Sequence, residues 1–187
     1  MDLQERLRAE RAKESKEILK NFMNDTKSEE ILIVVLKAHL YIERELIKLL
    51  TESIIDEKIL NGTTFRQKLD LANSMGLVEG FYGALGKVNS IRNEYAHDIA
   101  YEFDEKIYED LLSTLTKEDK DDFLEEYDEW KNMFYDGKIP ELNFKLQILL
   151  NYIWFSLISF RAFAKTAIEL RLREKELETI AKYDAAR

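Results

Sequence analysis

The chain has 187 residues, of which 45% are hydrophobic and 35% charged, with a formal net charge of -9, one proline, six glycines and no cysteine. That length and apolar content suit one domain with its own core. The negative balance argues against a broad, sequence-independent grip on nucleic acid, which needs many clustered Lys and Arg. Missing cysteines exclude disulfides, thiolate metal sites and cysteine nucleophiles, and fit a reducing compartment.

Residues 1–25 alternate charges densely and carry few apolar positions (Leu3, Leu7, Ile18, Leu19, Phe22). They read as a charged helical arm with a narrow contact stripe, and the charge throughout Met1 to Lys20 does not suit a secretory signal. Thr26-Lys27-Ser28-Glu29 has the form of a capping box. The helix expected after it carries Leu32, Val35, Leu36, His39, Ile42, Glu43, Leu46, Leu49 and Leu50 at 3.6-residue spacing and runs to about Lys58. Asn61-Gly62 is a turn. Thr64-Phe65-Arg66-Gln67 is a second capping box, and Gly76 ends the short helix it opens.

A glycine-softened helix is expected from Leu77 to Ser90, then helices from Phe103-Asp104 and from Thr116 to Tyr135, the latter acidic from Glu118 to Glu129. Gly137 and Pro140 break the chain before the longest helix, which is apolar from Leu142 to Ala167 and charged to Arg187. Its longest apolar run, Ile148 to Phe160, is shorter than the roughly 20 residues that span a bilayer. No strand pattern or internal repeat appears. The expected architecture is all-α: an antiparallel bundle of four to six main helices over 26–167, with charged helical extensions at 1–25 and 168–187. A cytoplasmic protein without a membrane partner is expected.

The chain has two histidines. His39 and Glu43 share a helix face as a possible metal pair, but a metal site needs three or four ligands and nothing else in the sequence completes one. The simpler reading of His39 is a hydrogen-bonded side chain in an apolar stripe. Gly76, Gly80, Gly83 and Gly86 do not make a phosphate loop. Five residues separate Gly80 from Gly86, Lys87 precedes Val88, and no strand leads in.

His97 lies five residues after Arg92 in Ile91-Arg92-Asn93-Glu94-Tyr95-Ala96-His97-Asp98. If this stretch is helical, Asn93 and His97 share a face, and Arg92 and His97 stand about 140° apart. One protomer then cannot converge them, whereas a twofold axis would gather two His and two Arg around one cleft. That set suits RNA cleavage without a metal or cofactor. One imidazole takes the 2′-OH proton, the other protonates the leaving 5′-oxygen, and the arginines clamp the phosphate. The glycine-softened segment before the motif is expected to help shape the interface.

Arg92, Asn93 and His97 match the Arg-x4-His signature, with a polar residue after the Arg, and the chain here resembles the HEPN domain superfamily. Phe65-Arg66-Gln67-Lys68-Leu69, Leu71-Ala72, Met75-Gly76-Leu77 and Ala38-His39-Leu40-Tyr41-Ile42-Glu43 look like its mannitol operon repressor branch. The resemblance covers roughly residues 29–113. It implies a dimeric all-α bundle, and in many members a metal-independent endoribonuclease of toxin–antitoxin or anti-phage systems. Arg92 and His97 would be the catalytic pair, supported by Asn93, Asp98 and Glu43, with RNA as substrate and an antitoxin or regulatory protein as a possible partner. Ile99 stands where antitoxin-paired members often carry Tyr, and the nearest following tyrosine is Tyr101. Two other readings stay open: a non-catalytic regulator or interaction module like the mannitol repressor branch, and a His97 that merely braces a helix end.

Overall fold

A computed structural model describes residues 16–185 of the chain. Residues 1–15 of the expected arm, and residues 186–187, lie outside the described residues. The described chain is an all-α bundle: α1 (16–26), α2 (Ile31–Ser53), a 3-10 turn (Glu57–Leu60), α3 (Phe65–Ser74), α4 (Tyr82–His97), α5 (Glu105–Leu112), α6 (Lys117–Phe134) and α7 (Glu141–Ala185). α2 and α7 make the most extensive helix pair. α3 and α4 pack on α2, α5 bridges α4 and α7, and α6 lies on α7.

The pairing follows from the apolar pattern. Val35, Ala38, Ile42, Leu46 and Leu49 of α2 are buried, as are Leu146, Leu149, Leu150, Ile153 and Leu157 of α7. Polar groups tie the same pair at one end, where the buried Glu45 carboxylate meets Arg161 Nη1 at 2.5 Å and Lys48 Nζ at 3.2 Å. Glu141–Ala164 is long and apolar enough, by length and composition, to cross a membrane. The Ile148–Phe160 run understated this segment. Half of its most apolar stretch is buried inside the bundle, which accounts for that composition as a core helix.

Three boundaries differ from those expected. Thr26 does not cap α2. It ends α1, where its buried hydroxyl donates to Phe22 O at 2.7 Å and accepts from Gln147 Nε2 at 2.7 Å. α2 begins at Ile31 without a side-chain cap. It also stops at Ser53, short of Lys58: Ile54 turns extended, and Asp56 caps the 3-10 turn instead. The third difference concerns the helix expected from Leu77. Gly80 has φ +86°, a conformation that other residues adopt only at a cost, so Leu77–Phe81 is a turn and α4 starts at Tyr82. The second capping box does form. Thr64 Oγ1 accepts from Gln67 N–H at 3.3 Å and Gln67 Oε1 accepts from Thr64 N–H at 2.8 Å. Gly76 closes α3 at φ +70°, with Leu77 N–H donating to Ala72 O at 2.9 Å.

Candidate functional site

Because α4 starts late and runs through His97, the whole motif from Ile91 to His97 is helical. Ala84, Leu85, Val88 and Ile91 are the buried residues of α4 and fix which way it faces. With that orientation set, Arg92 lies at the edge of the core on the flank toward α2, and His97 lies on the far side, about 140° around the axis. Arg92 is half-buried and His97 is exposed.

Arg92 sits in a polar cluster between α2, α3 and α4. Its Nη1 donates to Asn93 Oδ1 at 3.1 Å. One turn earlier, Asn89 Oδ1 lies 3.3 Å from His39 Nε2. His39 is buried, and its ring tilts against Phe65 with centroids 4.7 Å apart. Its Nδ1 is 4.0 Å from Glu43, whose other carboxylate oxygen accepts from Lys68 Nζ at 3.0 Å. Lys68 Nζ also donates to Thr63 O at 3.0 Å, so this nearly buried ammonium is paired and hydrogen-bonded.

Burial is the main reason that the His39 pKa lies below 6.5, and the Arg92 and Lys68 charges push the same way. Glu43 and the Asn89 contact pull against them and lose. A neutral imidazole in a packed slot is a structural part of the bundle, and one that positions Asn89 beside Arg92. The carboxylate of Glu43 is shared between Lys68 and His39, the arrangement of an ion pair. Among the described residues no group of three His, Asp or Glu side chains is placed to hold a metal ion.

The expected site residues therefore fall into two groups. Arg92, Asn93 and Glu43 surround the His39 cluster. His97 and Asp98 lie at the end of α4, away from it. Asp98 shapes the chain there: its carboxylate accepts from Ala100 N–H at 2.8 Å and its own N–H donates to Glu94 O at 2.8 Å. His97 makes no side-chain hydrogen bond or ion pair with any described residue. Asn89 and Lys68 were not expected in the site. Asn89 could have been found from its place three and four residues before Arg92 and Asn93, on the same flank. Nothing in the spacing around Lys68 ties it to Glu43, which lies twenty-five positions earlier.

Gly83 and Gly86 face Thr114 and Arg66 of the same chain at ordinary packing distance. A side chain at Gly83 would meet Thr114 at 3.6 Å, and one at Gly86 would meet Arg66 at 3.7 Å. The outer face of α2 lies next to the cluster. Leu32, Leu36 and Ile47 are half-buried there, Leu40 is 65% exposed, and Glu43 stands at the edge. Comparison of the chain with family models, curated proteins and solved structures gives no match.

Proposed function

We propose that the chain is a metal-independent endoribonuclease of the HEPN type, acting as a symmetric homodimer. The observation that carries this reading is the end of α4. His97 is exposed and has no side-chain hydrogen bond or ion pair among the described residues, while Arg92 is oriented by Asn93 on another flank of the same helix. A guanidinium oriented by Asn93 and an exposed imidazole are halves of a site that a second copy would complete. The apolar stripe of α2, beside Arg92, supplies a surface for that copy to cover.

In the dimer, the His97 imidazole of one copy removes the proton from a ribose 2′-OH. The 2′-oxygen attacks the adjacent phosphorus and the bond to the 5′-oxygen breaks. The His97 of the second copy protonates that oxygen as it leaves. The products are a 2′,3′-cyclic phosphate and a 5′-hydroxyl, and no metal or cofactor enters the step. The Arg92 pair holds the non-bridging oxygens as charge builds on them. A cytoplasmic toxin or anti-phage effector is the setting this chemistry fits.

The test is cleavage of mixed RNA in the presence of EDTA. Wild type should yield 2′,3′-cyclic ends, and His97→Ala should lower the rate by about 10²–10⁴-fold, the usual weight of a general acid–base group. Equal cleavage by the variant, or none by wild type, overturns the reading. A non-catalytic regulator is the second reading. The exposed acidic face of α6 favours it as a surface for a basic protein partner. It expects His97→Ala to weaken dimerisation or stability and no RNA to be cleaved by either form.

A further inference from the structure

A second feature lies away from α4, where α1, α6 and α7 enclose a cavity of about 520 Å³. Its walls are aromatic: Trp130 and Phe134 from α6, Tyr152 and Phe155 from α7. Two carboxylates open into it, Glu126 and Glu129, and neither forms an ion pair with a described residue. Glu126 and Trp130, one turn apart on α6, both line the cavity, so a carboxylate and an indole stand side by side there. Burial, then the nearby Asp122 and Glu129 charges, raise the pKa of Glu126, which places it among other carboxylates of α6. The hydroxyls of Ser156 and Ser159 are engaged with Tyr152 O at 2.9 Å and Phe155 O at 3.2 Å. Lys16, on the exposed side of α1, is the one cation of the lining.

We propose that this cavity binds a small organic cation with an apolar body, its charge against Glu126 and Glu129 and its body between the aromatic walls. Aromatic faces attract cations through their quadrupoles, and carboxylates beside them add direct charge attraction. The volume falls in the range of pockets that take small ligands. The site is independent of the α4 motif and of the nuclease reading.

The probe is benzyltrimethylammonium, with its uncharged isostere neopentylbenzene as control. Binding is followed on the full chain through the two indole N–H signals of its two tryptophans. Trp130 lines the cavity, while Trp154 is buried at 6% exposure and serves as internal reference. The cation should shift the Trp130 signal in a saturable way and bind about tenfold more tightly than the isostere, as expected for a cation–π and carboxylate contribution. Glu126→Gln with Glu129→Gln should remove that preference while the melting temperature holds, since the swap keeps the side-chain shape and neither carboxylate forms an ion pair with a described residue. Equal binding of cation and isostere, no shift at Trp130, or an unchanged preference in the double variant each overturns the proposal.

Discussion

His39 and His97 are the same side chain in opposite circumstances. His39 is buried against Phe65 and held neutral, so protonating it must cost folded-state stability. Its folded pKa lies below its unfolded value of 6.5, so the unfolded chain binds the proton first. Its contribution is therefore fully present above about pH 6.5 and is lost as pH falls toward the lowered value. Urea midpoints measured between pH 7.5 and pH 5 should fall more steeply for wild type than for His39→Gln. Parallel curves would show that the imidazole is not kept neutral. Arg92 invites a different substitution. Arg92→Lys keeps the charge but loses the planar fork that Asn93 orients, so RNA cleavage should drop by at least about tenfold with the fold intact. Circular dichroism and the cleavage assay read the two effects separately. The structural role of His39 was legible in the sequence because it interrupts an apolar stripe. The Asn89 contact was not, because it joins residues fifty positions apart.

At the scale of the helix, two threonines show where local reading succeeds and fails. Thr26-x-x-Glu and Thr64-x-x-Gln have the same local form, and only the second is a capping box. Thr64 follows a turn that leaves its hydroxyl free to cap. Thr26 is claimed from a distance by Gln147 of α7, which also donates to Met23 O at 2.6 Å. Asn143, one turn earlier on α7, donates to Ser28 O at 3.3 Å and Glu29 O at 2.8 Å, so the corner between α1 and α2 is clamped by two side chains of α7. A window of four residues cannot contain that competition. The two sites should respond differently. Thr64→Ala removes an exposed cap and should cost about 1 kcal/mol. Thr26→Val keeps the shape but strips a fully buried acceptor from Gln147, and should cost about 1–3 kcal/mol. Urea unfolding of the two variants ranks them, and a Thr64 variant that loses more than the Thr26 variant contradicts the assignment.

Across the whole molecule, the all-α class and the long C-terminal helix could be read from the spacing of apolar residues. The outward face of α2 could not, because periodicity alone does not say which apolar positions find a partner. The 3.6-residue stripe of α2 is broad enough to face α7 on one side and to leave Leu32, Leu36, Leu40 and Ile47 on the other. In a monomer the apolar surface of these side chains is buried only in part. In a dimer they are covered, and Arg92, on the flank of α4 that meets α2, comes within reach of a second copy. Leu40 tests the connection because it is 65% exposed and a charge there costs the monomer little. Leu40→Glu should convert a dimer into a folded monomer by sedimentation velocity, and RNA cleavage should fall with the dimer fraction. Raising the concentration of the variant until it dimerises should restore cleavage in proportion. A variant that is fully monomeric and fully active would separate the α2 stripe from the chemistry and return His97 to the role of a solvent-facing helix end.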